Sequence, residues 1–212
     1  GGGLMKGRMW LILIFLGSLW GIIEGVWGDF LYRIGFFHPS IFLTSIAFFI
    51  LALGRRCYPK PGSTTLIGVI ATLFRVVNAS PHYCHLYAIF LNGLAFDIVA
   101  SLLSKSVEKK IFWRGIMGSL STYLGYTLFS FTMTYIIHYP HWVRSGFPEV
   151  LNYIGFRGSL ASIGSFFTVL LGYSLGRLFK YEELRVFKLR PILMNGLLIV
   201  TTVFLWIVGR IV

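Results

Sequence analysis

Only two cysteines, Cys57 and Cys84, occur in the 212 residues, too few for a fold built on disulfides. Charge is thin as well: 12% of the chain is charged, and seven acidic residues stand against nineteen basic ones. No polar tract is long enough for a soluble domain, no low-complexity stretch occurs and no internal repeat is visible. Also missing are a Gly-x-Ser-x-Gly elbow, a His-Glu-x-x-His helix, a paired-Asp signature and a phosphate loop. The chain therefore lacks the usual apparatus of a hydrolase, a zinc protease or an ATPase, and no cofactor is expected.

Hydrophobic residues make up 56% of the chain. That composition reads as an all-α, polytopic integral membrane protein. A spanning helix takes about 20 apolar residues, and on that scale seven segments are expected, near 9–32, 40–54, 63–78, 84–104, 112–137, 157–179 and 190–211. Turn chemistry at His38-Pro39, Pro59-Lys60-Pro61-Gly62 and Ser80-Pro81 separates the first four. The second and third are short, about 22–24 Å at 1.5 Å per residue, against a hydrocarbon core of about 30 Å. Residues 1–4 read as a tag remnant and 5–212 as a single transmembrane domain. The first segment is too long for a signal peptide and lacks a small-x-small cleavage site.

A net charge of +12 invites a nucleic-acid reading, but the basic residues sit in the breaks between apolar blocks. Fourteen fall on one side of the seven segments and four on the other. The positive-inside rule then predicts a cell-membrane protein with a cytoplasmic N-terminus and an extracellular C-terminus. Cys57 and Cys84 fall on opposite sides, which disfavours a bond between them.

Charges within apolar stretches are costly and mark candidate sites. Glu24, Arg75 and Asp97 are three such charges, and with Asn92 they are expected at one depth range in a pocket open to the outside. Trp27, Asn78 and His85 complete the substrate-binding set, with Trp20 and Tyr87 as further aromatic wall. The plainer alternative is that Glu24 and Arg75 pair only to hold two helices together. Asn78-Ala-Ser80 has the form of a glycosylation acceptor but abuts a membrane helix and precedes Pro81.

All five histidines are expected on the outer side. His82, Cys84, His85, His138 and His141 are weak candidates for metal ligands; their spacing matches no zinc pattern, and interfacial packing is the favoured reading. Gly17, Gly21 and Gly25 form a small-residue ridge that predicts close helix packing, either inside the chain or on a partner. The aromatic connection from Tyr139 to Phe156 reads as a lid or as an interfacial anchor.

The run from Gly17 through Glu24 to Gly28, the short helices after Pro39 and after Pro61-Gly62-Ser63, and Leu91-Asn-Gly-Leu-Ala-Phe-Asp97 resemble the substrate-capture (S) components of energy-coupling factor transporters. The resemblance covers residues 9–179 and implies a six-helix core, here with a seventh helix added. It implies a protein that performs no chemistry of its own. Such a protein binds a vitamin-like compound or metal ion near the outer face and docks on a transmembrane coupling subunit driven by ATPase subunits. Gly17, Gly21 and Gly25 would correspond to that family's docking ridge, with glycine in place of alanine. The alternative function is a polytopic enzyme acting on a lipid or isoprenoid, with Glu24, Asp97 or a histidine as acid or base.

Overall fold

Proline and glycine set the helix boundaries, and hydroxyl and small residues set how closely the helices pack. The computed structural model describes residues 2–78, 83–177 and 191–211, and among these every regular element is a helix. Helix α1 (Gly2–Ile22) passes through a five-residue π turn (Ile23–Trp27) into α2 (Gly28–Arg33). Helices α3 (Pro39–Cys57), α4 (Ser63–Asn78) and α5 (Tyr83–Leu102) follow, then a short α6 (Ser104–Lys109). Helix α7 (Ile111–Phe131) also ends in a π turn (Thr132–Ile136). After it come α8 (Pro140–Asn152), a third π turn (Tyr153–Arg157), α9 (Gly158–Leu175) and α10 (Pro191–Ile211). Among the described residues five helices are long and apolar enough to cross a bilayer, the mark of a multi-pass membrane protein.

The second segment is longer than its sequence suggests. Helix α3 has 19 residues, about 28 Å, because it continues through Gly54, Arg55 and Arg56, where Arg55 is buried against partners. The third segment is short as expected, with 16 residues in α4. Helix α7 is diluted in hydropathy by Ser121, Thr122 and Ser130, whose hydroxyls are buried and donate to carbonyls one turn back. Those groups are satisfied inside their own helix, so they can face protein.

Packing runs in a ring. Helix α1 lies on α4, α4 on α5, α5 on α7, α7 on α9, α9 on α3, and α3 returns to α1. Trp20, Phe48, Leu51, Ile67, Phe96, Met117 and Val169 fill the centre, with Phe48 and Phe96 rings 5.6 Å apart. Helix α10 stands outside the ring against α1 and α4. Its Trp206 indole donates to Ser18 Oγ at 2.9 Å and meets the Phe74 ring edge-on at 4.9 Å.

The glycine ridge is used within the chain. A β-carbon on Gly17 would come 2.6 Å from Ile70, and one on Gly21 would come 2.6 Å from Phe74, so α4 lies directly on both. Gly25 is different, with nothing within 4 Å of that position. Another close helix crossing is one the ridge did not announce: Gly68 of α4 meets Gly93 of α5, where an added β-carbon would lie 2.9–3.2 Å from the opposing backbone.

Charge divides the ends of the bundle. Arg55, Arg56, Lys60, Lys105, Lys109, Lys110, Arg114 and Arg177 gather where α3, α5 and α9 end, whereas His38, His85, His138 and His141 gather at the opposite end, where α3 and α5 begin and α7 turns into α8.

Candidate functional site

A cavity of about 220 Å³ opens among the helices at the histidine end, beneath α8. Glu24, Arg75, His85 and Asn92 of the predicted set all line it. The π turn in the first rod shapes one wall. By widening the helix at Ile23–Trp27 it presents the Glu24 carbonyl to Arg75 Nη1, which donates to it. Arg75 is only 2% exposed, and its Nη2 pairs with Asp29 Oδ1 at 3.0 Å. Its carboxylate partner is thus Asp29, not Glu24. The Glu24 carboxylate accepts the Trp20 indole N–H at 3.1 Å and has no ion pair among the described residues. Arg75 thus ties α4 to the first rod through the Glu24 carbonyl and Asp29 rather than through the Glu24 carboxylate.

Aromatic rings make the rest of the lining. Tyr126 and Tyr153 stack at 4.7 Å, and His85 stacks on Tyr32 at 5.4 Å. The Tyr126 hydroxyl lies 3.4 Å from Thr44 Oγ1. Asn92 fits beside α7 because position 125 is glycine; a β-carbon there would sit 2.8 Å from Asn92 Oδ1.

The segment from Tyr139 to Phe156 is a roof. Trp142 and Val150 are buried, and Trp142 meets Phe129 and Tyr153 edge-on at 5.6 and 5.0 Å, while Val143, Phe147 and Leu151 face outward. Gly146, at φ 63°, breaks the helix in the middle of this roof, a conformation that favours glycine. Glu149 of the roof pairs with Arg157 at 3.2 Å, and both line the cavity.

Three predicted site residues lie elsewhere. Trp27 is 55% exposed and packs edge-on against Phe30 on the outside of the rod, because the wider π turn rotates it away from Glu24. Asn78 lines a neighbouring groove and donates to the Phe74 carbonyl at 3.0 Å. Asp97 is at the basic end: Oδ1 pairs with Arg55 at 3.0 Å, and Oδ2 accepts the Thr65 amide and hydroxyl at 3.2 and 2.9 Å. The orphan amides at the start of α4 and the buried Arg55 guanidinium claim that carboxylate, so it does not share depth with Glu24.

No family model matches the chain, and no curated protein or solved structure matches it.

Of the weak metal candidates, His82 lies outside the described residues. Cys84, His85 and His141 line the cavity, whereas exposed His138 holds its Nδ1 3.2 Å from the Ile136 carbonyl. Among the described residues no three His, Cys, Asp or Glu side chains come together as a metal site would need. Two lining residues had no signal in the sequence, Tyr126 in the middle of α7 and Arg157 in the third π turn, whereas Glu149 and Tyr153 come with the Tyr139–Phe156 segment.

Proposed function

We propose that the chain is a membrane-embedded substrate-capture protein that binds a small organic molecule in the cavity beneath α8 and performs no chemistry on it. One observation carries this reading: Glu24, Arg75, His85 and Asn92, from three different helices, converge with stacked tyrosines on one cavity. Its volume, about 220 Å³, is below the roughly 300–1,000 Å³ of drug-sized sites, which favours a compact ligand. Two of the lining charges are already neutralised, Arg75 by Asp29 and Arg157 by Glu149. The Glu24 carboxylate is left with a single neutral donor. The ligand therefore carries a protonated amine or another strong donor group opposite Glu24.

In the bilayer the seven helical rods cross the membrane, with the basic end cytoplasmic, the histidine end outside, and the C-terminus extracellular. Such a capture protein needs an energised partner, a transmembrane coupling subunit with its ATPase subunits, as in energy-coupling factor transporters. Six helices in a ring with α10 outside it agree in number with the six-helix core that the resemblance implies. Gly17 and Gly21 are covered by α4, so the docking surface lies elsewhere than on the glycine ridge. The competing enzyme reading is tested by incubating the purified protein with membrane lipid extracts. The capture reading expects every lipid species to be recovered unchanged, and appearance of a converted lipid would overturn it.

A further inference from the structure

A second and larger space of about 770 Å³ lies on the far side of Arg75, in the groove bounded by the first rod, α4 and α10. Three helix ends meet there, Arg33 closing α2, Asn78 closing α4 and Arg210 near the end of α10. Helix ends of a multi-pass protein lie at headgroup depth. The groove holds three guanidiniums, Arg33, Arg75 and Arg210, against the single carboxylate of Asp29, which Arg75 already neutralises.

The other two cations are poorly matched within the protein. Arg33 is exposed and has no hydrogen bond or ion pair among the described residues. Arg210 makes a single bond, at 3.3 Å, to the Val77 carbonyl. Basic side chains at helix C-termini ordinarily answer the carbonyls there, as Arg210 does at Val77. At the end of α2, the carbonyls of Phe30, Leu31 and Tyr32 instead accept the amides of Ile34, Phe36 and Gly35, which leaves Arg33 without that role. Two groups buried at the groove also lack partners, Arg75 Nε and Asn78 Oδ1.

Apolar surface continues from this cationic mouth along the helices. Phe30 and Val77 are about half exposed, and Gly25 leaves the floor open, with nothing within 4 Å of a β-carbon there. A water-soluble anion would use only the guanidiniums, whereas a phosphate attached to acyl chains would use the whole groove.

We propose that this groove binds the phosphate headgroup of an anionic membrane lipid between Arg33 and Arg210, with its chains along Phe30, Val77 and the open floor at Gly25. The site is separate from the cavity beneath α8 and does not depend on what that cavity holds.

The test uses delipidated full-length protein in neutral detergent, titrated with phosphatidylglycerol, phosphatidylcholine or inorganic phosphate, with native mass spectrometry counting bound molecules. Phosphatidylglycerol is expected to bind at least tenfold more tightly than phosphatidylcholine. Arg33→Gln with Arg210→Gln, and separately Gly25→Leu, should each weaken it at least tenfold. Arg33→Gln alone removes a side chain with no partner among the described residues, so it keeps the test valid if the double variant is poorly folded; it should weaken binding at least threefold. Equal binding of the two lipids, or unchanged phosphatidylglycerol binding in the variants, would overturn the proposal. Inorganic phosphate binding as tightly as phosphatidylglycerol would overturn the lipid assignment.

Discussion

Gly21 and Gly25 are the same residue type on the same rod, one helical turn apart, yet substituting each with alanine should have opposite consequences. A β-carbon at position 21 would stand 2.6 Å from Phe74 Cβ and 2.7 Å from its Cγ, where carbon atoms prefer about 3.5–4.0 Å. Phe74 has no room to retreat, because Gly209 of α10 is fitted against its other side and Trp206 meets its ring at 4.9 Å. The first rod and α4 must therefore separate by about 1 Å. Overpacking of this kind costs about 1–3 kcal/mol, offset in part by the gain of up to about 1 kcal/mol for alanine over glycine within a helix. At position 25 the β-carbon meets nothing, so only the helix-propensity gain applies. Gly21→Ala is thus expected to lower stability by about 1–2 kcal/mol and Gly25→Ala to leave it unchanged or raise it by up to about 1 kcal/mol. Equilibrium unfolding of the purified proteins in mixed micelles reads the difference directly. Equal effects at the two positions, or the reverse order, would refute the assignment of the ridge to internal packing.

Asp97→Asn should destabilise the protein by about 3–5 kcal/mol, since it leaves the buried Arg55 guanidinium uncompensated, while ligand retention in the surviving folded fraction is unchanged; unfolding titrations and ligand counting together check this. Arg75→Ala should cost about 2–5 kcal/mol through loss of a buried, twice-bonded side chain, and Asp29→Asn less, because the pair is half solvated at Asp29 and Arg75 keeps the Glu24 carbonyl; a larger loss in Asp29→Asn would contradict this. In a cysteine-free background, Lys60→Cys should react with a membrane-impermeant thiol reagent only after cells are opened, and Phe37→Cys in intact cells; labelling of both from one side would contradict the orientation.

The broad architecture was legible because hydrophobic length and turn residues act locally. Pro39 starts α3 and Ser63 starts α4 where the sequence places them, and the basic residues sort to one end as loop charge predicts. The site was half legible for a related reason. Glu24, Arg75 and Asn92 stood out because polar side chains in apolar segments must face protein or a cavity, and they do meet. Asp97 stood out by the same rule and went elsewhere, since the rule identifies a buried polar group without identifying its partner. Arg55 was overlooked because it sits beside Arg56 at a helix end, where a cation looks solvated; burial of one of the two depends on which face α5 covers. Asp29 lies one turn beyond Glu24, where a carboxylate reads as merely interfacial, and the π turn at Ile23–Trp27 lies between them where the rod meets Arg75. The Gly68–Gly93 crossing was invisible for want of a repeat: each helix contributes a single glycine, and their meeting is a tertiary fact.

The central claim is that the cavity beneath α8 holds a small ligand through Glu24. Native mass spectrometry of the full-length protein, followed by denaturation and identification of what is released, tests it most directly. The account predicts a single small amine-bearing or donor-rich molecule per chain in the wild type, with occupancy reduced at least tenfold in Glu24→Gln while the variant stays folded. A wild-type chain that carries no such molecule from cells or after incubation with cell extract, or a Glu24→Gln variant that retains it equally, would contradict the account.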